Sequence, residues 1–373
     1  MRDPLHGLDD VPWAELSHAY GSADDVPDEL RALRAADADD RFDALRRLYA
    51  TIDHQGSRFE ASAPAVPFLY ALAADPTSAQ RVEIVRLLGS LAIGYPEMWL
   101  PAGVDIASWR RDVAAAPAAD RGADYARYEM AAYDAVRATV PGLCTLLADP
   151  DPKLRAVTAS TLAWFPEESA LIVPRLLELL EIERVPGVGA NAIVAAGLVG
   201  DAALADRLRP YLAGEDPLLR WAAATALARL GATDVAVVAE LARCGASEPE
   251  QETPRVCFSD EGDIRAYSAK SLAAVQGELT DEAMAAVLDG LAGVSGPYAF
   301  TPAATALRLT FGPEPPATRP PFAELTEPQR RTVRILAEIG ERTWLWTDFT
   351  DILRDWNLPD RRDDCRRYVG LAD

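Results

Sequence analysis

DPKLRAVTASTLAWFPEESALIVPRLLELL (residues 151–180) and DPLLRWAAATALARLGATDVAVVAEL (residues 216–241) are two copies of one sequence pattern. Each copy begins with Asp-Pro, carries an early arginine, and then places small or apolar residues at the spacing of one helix face. A second apolar helical pattern follows after a short break. Aspartate just before a helix and proline in its first turn both favour helix initiation. Each copy therefore predicts a pair of helices.

The pattern of the first helix recurs along much of the chain. Every copy starts with Arg or Asn, ends with Leu, and has small or apolar residues at helical spacing between them. The copies are RFDALRRL (41–48), RVEIVRLL (81–88), RAVTASTL (155–162), NAIVAAGL (191–198), RWAAATAL (220–227) and RAYSAKSL (265–272).

The second helix has its own signature, an early proline that we place in the first helical turn. Pro141, Pro174 and Pro210 are 33 and 36 residues apart, which is a period typical of repeat proteins built from helix pairs. The copies are AVPFLYALAADP (65–76), TVPGLCTLLADP (139–150), IVPRLLELLE (172–181) and LRPYLAGEDP (208–217).

These segments resemble HEAT repeats, of the HEAT-like type also found in PBS lyases. The HQG (54–56), LAWFPE (162–167) and C-terminal tryptophan segments are similar to those of a group of bacterial HEAT-repeat proteins. The resemblance implies an all-α fold, a right-handed α-solenoid (superhelix) of helix pairs with N- and C-terminal helical caps. A tetratricopeptide array has a similar period, but its Trp, Leu-Gly and Tyr landmarks do not recur.

The resemblance also implies a structural ladder, because aspartate and arginine tend to pair between neighbouring HEAT repeats. Asn191 replaces the arginine in one repeat and is expected to interrupt the ladder. The residues to which this role is assigned are Asp151, Arg155, Asp216, Arg220, Asp263 and Arg265.

The repeat pattern divides the chain into segments. We predict an acidic helical cap over 1–36, the repeats over 37–311 with an aromatic insertion at about 93–127, a proline-rich connector over 312–325, and a helical cap over 326–373.

The two caps have further predicted features. The first 40 residues hold eleven acidic residues and three arginines, and we expect Trp13, Leu16 and Tyr20 on one helix face. Thr326 is predicted to be the N-cap of a helix, with Pro328 in its first turn.

The DHQG stretch, residues 53–56, is predicted to connect two helices rather than to form an active site. Gly56 is expected to end a helix in the left-handed conformation, and His54 or Asp53 to bond its last free carbonyls. A catalytic His54 would need a partner nucleophile or acid in a cleft, and the sequence identifies none.

The amino-acid composition limits the classes of function that the chain can have. The chain has 58 acidic residues against 37 lysines and arginines, a formal charge of −21, which disfavours nucleic-acid binding and suits a basic partner. Because neither a signal segment nor an apolar run long enough for a membrane helix is evident, we expect a cytoplasmic protein with no membrane contact. Four scattered cysteines and three histidines indicate no metal site and no cofactor.

The aromatic insertion holds the candidate binding residues. Aromatic residues and arginine dominate binding hot spots because they bury a large area and also form hydrogen bonds. The alternative is that these rings only pack the insertion onto its own repeat. The candidates for partner binding are Tyr95, Trp99, Trp109, Arg110, Arg111, Tyr125 and Tyr128.

Two classes of function stay open at this point. The first is a non-catalytic protein–protein interaction scaffold, in a narrower form an inhibitor or immunity-type protein for a basic partner. The second, by resemblance, is a HEAT-like enzyme with an aromatic cleft, either a chromophore lyase or a DNA glycosylase using Trp109, Trp164 and Trp221. Because the sequence contains no recognisable catalytic constellation, it favours the scaffold.

Overall fold

The computed structural model describes residues 3–116, 121–247, 249–258, 264–275 and 279–371. Contacts between Cα atoms divide the chain into two compact units. The first unit comprises Met1–Trp99, Gly103–Gly200 and Glu252–Asp260, and the second comprises Leu100–Ala102, Asp201–Gln251 and Glu261–Asp373.

The first unit consists of stacked helices and two short hairpins. Helix α3 packs on α4 and α6, α4 packs on α8, and α8 and α9 both pack on α10. The elements are β1 (Ser17–His18), β2 (Gly21–Ser22), α1 (Val26–Ala32), α2 (Ala38–Thr51), β3 (Asp53–His54), β4 (Ser57–Arg58), α3 (Ser62–Ala74), α4 (Arg81–Ile93), α5 (Ile106–Ala115), α6 (Arg121–Arg137), α7 (Val140–Leu146), α8 (Pro152–Leu162), α9 (Ser169–Ile182) and α10 (Pro186–Val199).

The second unit continues the same helical pattern. Helix α12 packs on α11 and α13, α13 packs on α14 and α15, and α16 packs on α14 and α17. The elements are α11 (Ala205–Leu212), α12 (Pro217–Arg229), α13 (Val235–Ala246), α14 (Ile264–Ala273), α15 (Asp281–Ala292), α16 (Phe300–Phe311), α17 (Glu327–Glu338), α18 (Thr347–Asp355) and α19 (Arg362–Tyr368).

The predicted all-α class is confirmed, and each predicted repeat segment contributes to a helix. GVGANA, residues 187–192, which imitates a dinucleotide-binding fingerprint, lies inside α10. Thr326 is the N-cap of α17 and Pro328 lies in its first turn, as predicted, and the side chains of Thr326 and Gln329 also form a capping box. Within the described residues, no helix is long and apolar enough to cross a membrane.

Three first helices begin with the same local motif. Asp37, Asp151 and Asp216 are the N-caps of α2, α8 and α12, and each carboxylate accepts backbone N–H bonds from the first turn. Four residues later, an arginine turns back and donates to two carbonyls that precede the helix. Arg155 Nη1 lies 2.8 Å from Asp149 O and 3.1 Å from Pro150 O, and Arg41 and Arg220 repeat this geometry. The motif fixes the loop that enters each repeat.

The placement of proline in the second helices was predicted wrongly for three of the four copies. Pro141 does lie in the first turn of α7, but Pro67, Pro174 and Pro210 lie inside α3, α9 and α11. These helices begin earlier than the apolar pattern does. Before α9, for example, a 3-10 turn at Pro166–Glu168 leads straight into the helix, which then begins at Ser169. Pro174 therefore lies inside α9, and because proline has no N–H, one intrahelical hydrogen bond is missing there.

The helix face predicted for the N-terminal segment was also wrong. Residues 8–22 form two 3-10 turns and the hairpin of β1 and β2, because Gly7 and Gly21 adopt positive φ and Pro12 precedes the second turn. Trp13 is nevertheless buried, and its indole N–H donates to Leu8 O.

Candidate functional site

The connection between α2 and α3 is a tight β-hairpin. Strands β3 and β4 pair in antiparallel register, with Asp53 opposite Arg58 and His54 opposite Ser57. Gln55 and Gly56 between them have φ values of 52° and 75°. Positive φ at both loop residues defines the type I′ turn, whose twist matches that of the strands.

The structure confirms one half of the expectation for this stretch and corrects the other. His54 Nδ1 lies 3.0 Å from Ala50 O, so the histidine bonds a free carbonyl at the end of α2. Gly56 is left-handed, but it occupies the hairpin turn and does not end the helix. The helix ends at Thr51, and Ile52 is its C-cap.

The N-terminal hairpin packs beside this connection. Ala19 N–H donates to Thr51 O and Ala61 N–H donates to Ser17 O, each over 3.1 Å. The Tyr20 ring stands edge-on to the His54 ring with their centroids 5.3 Å apart. The two hairpins therefore form one surface.

Three tyrosines surround the β3–β4 hairpin and stay substantially exposed. Tyr20, Tyr95 and Tyr125 expose 70%, 48% and 47% of their surface, and we call them the tyrosine rim. Each is anchored from one side: Tyr20 by His54, Tyr95 by Gly56, and Tyr125 by Phe59, with ring centroids 5.9 Å apart. A Cβ built on Gly56 would lie 2.9 Å from the Tyr95 ring, so this packing requires glycine.

A buried polar cluster lies at the base of the hairpin. Asp53 is 5% exposed, and Ser90 Oγ donates to its Oδ2 over 2.5 Å. Arg58, 3% exposed, donates to Gly56 O and faces the Glu129 carboxylate, with Nη1 and Oε1 3.6 Å apart.

Burial dominates the ionisation of this cluster. It raises the pKa of Asp53 to about 7, against the smaller opposing effects of the Ser90 hydrogen bond and the Arg58 charge. Desolvation also raises the pKa of Glu129 and lowers the pKa of Arg58. Asp53 therefore exchanges its proton near neutral pH.

Glu60 follows the hairpin and behaves in the opposite way. Its Oε2 accepts hydrogen bonds from Ser17 N and Ser17 Oγ at 3.0 and 2.7 Å, and its Oε1 accepts one from Tyr128 Oη at 2.9 Å. These hydrogen bonds lower the pKa of Glu60, and those from the side chains of Ser17 and Tyr128 have the largest effect. Glu60 thus carries a fixed negative charge beside the tyrosine rim.

The predicted binding residues of the insertion fall into two groups. Tyr95, Tyr125 and Tyr128 lie around the β3–β4 hairpin, as described above. Trp99 and Trp109 belong to a row of rings that leads into the core through Tyr133 and Phe165, with successive centroids 5.3, 5.5 and 5.2 Å apart. These two tryptophans pack the insertion onto its repeat.

The two predicted arginines also differ from each other. Arg110 donates to both Asp134 oxygens, at 3.0 and 2.6 Å, and to Glu167 at 3.1 Å, and these carboxylates raise its pKa. It also lies beside a polar pocket of about 520 Å³ together with Arg137 and Glu168. Arg111 is exposed on α5.

The predicted ladder residues have other partners in the structure. Asp151 and Asp216 cap their helices, while Arg155 pairs with Glu183 at 2.8 Å and Arg220 with Glu240 at 3.5 Å. Each glutamate follows or lies on the second helix of the same repeat, so these pairs join the two helices of a repeat.

The remaining ladder positions are special cases. Arg265 lies over the Tyr298 ring at 4.5 Å, and Asp263 lies outside the described residues. Asn191 is fully buried and holds a distant segment: its Nδ2 donates to Arg255 O at 3.1 Å, and its Oδ1 accepts from Cys257 N at 2.9 Å. Asn191 therefore makes no ladder contact and instead bonds the backbone of residues 255 and 257.

An apolar pocket of about 430 Å³ lies between α7 and α9. Leu147, Leu179 and Cys144 line it, and Arg175 and Glu178, paired at 2.8 Å, are also among its lining residues. Two of the three tryptophans considered for a glycosylase-type cleft, Trp164 and Trp221, are buried, at 3% and 0% exposure, while Trp109 is partly exposed. Within the described part of the chain, no cluster of His, Cys, Asp or Glu has the arrangement of a metal site.

Sequence reasoning missed Tyr20, Glu60 and Asp53 as site residues. Tyr20 was expected on a helix face and Asp53 at the end of a helix, and Glu60 was not singled out. The available signal was the type of residue around the turn: Gln-Gly flanked by Asp-His and Ser-Arg is compatible with a two-residue hairpin.

Comparison with known proteins identifies one family within the chain. Residues 140–228, which run from α7 to α12, match the family model described as HEAT repeats, so the chain contains HEAT repeats and the resemblance is confirmed there. No curated protein sequence matches significantly. Among solved structures, a chain from the complex of CpcE and CpcF of phycocyanin lyase from Nostoc sp. PCC7120 is similar, with a TM-score of 0.44 and 16% identity, over 83% of this chain and 92% of that chain.

Proposed function

We propose that this HEAT-repeat protein is a non-catalytic scaffold that binds another protein, and that the tyrosine rim is part of the binding surface. One observation carries the proposal: Tyr20, Tyr95 and Tyr125 are each about half exposed or more, yet each is anchored on one side, the first two by the β3–β4 hairpin and Tyr125 by Phe59, which follows it. Because the rings are already ordered, a partner would bury them at little further cost in side-chain entropy.

The charge around the rim indicates the kind of partner. Asp24 and Asp25 are exposed just after the β1–β2 hairpin, and Glu60 holds its negative charge beside the rim. The whole chain has a formal charge of −21. We therefore propose a basic partner, attracted over a distance by the acidic surface and held by the aromatic rings.

A narrower form of the proposal is that the protein inhibits this partner, as an immunity-type protein does. Masking a basic active surface with an acidic one would be enough to inhibit it. The partner's own activity, measured with and without equimolar scaffold, tests this step. Full activity in the complex would leave binding intact and contradict inhibition.

Capture from native lysate tests the binding proposal. Tagged wild-type protein is compared with the double variant Tyr20→Ala, Tyr95→Ala and with Tyr298→Ala, which removes a tyrosine that is 56% exposed in the second unit. We expect a stoichiometric basic protein on the wild type and on Tyr298→Ala, released by high salt and at least tenfold depleted on the double variant. Equal capture by all three proteins would show that the rim is not the binding surface.

Folding is monitored in the same experiment. The two rim substitutions are at exposed positions, so the free energy of unfolding is expected to change by no more than about 1 kcal/mol. A large drop in the melting temperature of the double variant would show that the Tyr20 and Tyr95 rings stabilise the fold by packing, and would remove the support for the proposal.

A further inference from the structure

Three aromatic rings and one carboxylate meet at the edge of the tyrosine rim. Phe59 and Glu60 follow β4, and Tyr125 and Tyr128 lie one turn apart on α6. The Phe59 and Tyr125 rings are perpendicular within 5°, at an interplanar angle of 85° and a centroid distance of 5.9 Å. The Tyr125 and Tyr128 rings are related in the same way, at 88° and 6.5 Å.

The three rings form a corner: they meet at nearly right angles, with Tyr125 in contact with both of the others. Phe59 and Tyr128 are partly exposed, so part of each ring's surface is open to solvent. The face of an aromatic ring is negative, and it attracts a cation placed within about 6 Å of the ring centroid. Tyr125 is also 47% exposed, so the corner opens to solvent.

Glu60 adds a full negative charge to this corner. Its hydrogen bond from Tyr128 Oη, 2.9 Å long, ties the carboxylate to one wall, and two hydrogen bonds from Ser17 fix its orientation. All three donors favour the ionised carboxylate, which keeps the pKa of Glu60 below its ordinary value. Arg127, which lies between Tyr125 and Tyr128 in the sequence of α6, is paired with Asp124, with Nη1 and Oδ1 2.7 Å apart.

We infer that Phe59, Tyr125, Tyr128 and Glu60 form a binding site for a single cationic side chain, an ammonium or guanidinium group, supplied by the partner protein. This inference rests on the proposed function and adds the chemistry that its surface recognises. The ring faces provide cation–π attraction, and Glu60 provides the opposite charge. The uncharged residues of the partner would contact the other rim tyrosines.

Short peptides test this inference independently of the capture experiment. The probes are N-acetyl-Gly-Xaa-Gly-amides in which Xaa is arginine, lysine, trimethyllysine or citrulline. Citrulline has nearly the same shape as arginine but no charge. Protein labelled with 3-fluorotyrosine is titrated, and the fluorine resonances of Tyr125 and Tyr128 are assigned with the variants Tyr125→Phe and Tyr128→Phe.

We expect the Tyr125 and Tyr128 resonances to shift with a saturable dependence on the cationic peptides and to stay unchanged with citrulline. Tyr125→Ala and Glu60→Gln should each weaken binding at least fivefold. Asp39→Asn, which removes an exposed acid from the first turn of α2, should leave it within a factor of two.

The outcomes are distinct for the two proposals. Equal shifts with citrulline and arginine, or unchanged affinity in Glu60→Gln at an unchanged melting temperature, would overturn the cation site. If capture depends on Tyr20 and Tyr95 while no peptide binds, the scaffold stands and the cation site falls. Peptide binding at the corner without any rim-dependent partner would support the cation site and overturn the scaffold proposal.

Discussion

Replacing Asp53 with asparagine should change how the stability of the protein depends on pH. Asp53 is 5% exposed, and its environment raises its pKa from 3.8 to about 7. The folded state therefore keeps a proton that the unfolded state releases near pH 4. Since the unfolded state binds fewer protons in this range, the contribution of Asp53 to stability falls as pH rises from about 4 to about 7 and then levels off.

The size of the effect follows from the shift. Each pKa unit corresponds to about 1.4 kcal/mol, so the loss between pH 4 and pH 7 amounts to at most about 4 kcal/mol. Asparagine has nearly the same shape, can still accept the Ser90 hydrogen bond, and does not titrate. The stability of Asp53→Asn relative to wild type should therefore increase steadily from pH 4 to pH 7.

Urea unfolding followed by far-ultraviolet circular dichroism at half-unit steps from pH 4 to pH 8 measures this difference. Carboxylates whose pKa is lowered by folding, such as Glu60 and Asp75, act in the opposite direction but occur in both proteins and cancel. A flat or decreasing difference for Asp53→Asn would refute the assignment of a buried, proton-holding carboxyl group.

Three further substitutions test other parts of the structure. Asn191→Ala removes the bonds to Arg255 O and Cys257 N, so we expect faster alkylation of Cys257 by iodoacetamide while buried Cys244 stays slow; an unchanged Cys257 rate would contradict the tether. Gly290→Ala on α15 should cost about 1–3 kcal/mol, because its Cβ would lie 2.7 Å from the backbone oxygen of Ala242, whereas Gly245→Ala on α13, whose Cβ meets no described atom within 4 Å, should cost nothing in calorimetry. Trp109→Ala should lower stability by about 2–3 kcal/mol through the lost packing against Trp99 and Tyr133, and an unchanged melting temperature would return Trp109 to the binding candidates.

The repeat helices were predictable because their signals are local. The sequences of α8 and α12 indicate helices by an aspartate cap, a proline in the first turn and four turns or fewer of regular apolar spacing. The start of α9 was less predictable, since nothing apolar marks the 3-10 turn that precedes it. The β1–β2 and β3–β4 hairpins have strands of two residues, too short to show any alternation.

The candidate site could be predicted only in part, because its residues are distant in sequence. The insertion was recognisable as a source of exposed rings, and Tyr95, Tyr125 and Tyr128 were named from it. Their neighbours were not: Glu60 bonds Ser17 across 43 residues and Tyr128 across 68. That Trp109 packs inward depends on the buried Tyr133, whose ring it contacts.

The location of the site follows from the packing of α6. The predicted insertion, at about 93–127, contains α5 and the start of α6, and α6 packs on α3 and α4. This packing brings Tyr125, Tyr128 and Glu129 to the β3–β4 hairpin and the residues that follow it. The aspartate caps and arginine-fixed loops of the repeats have no part in the rim. We therefore expect substitutions on the exposed side of α6 to affect the proposed binding site and leave the repeats intact, whereas substitutions at the arginines should lower stability first.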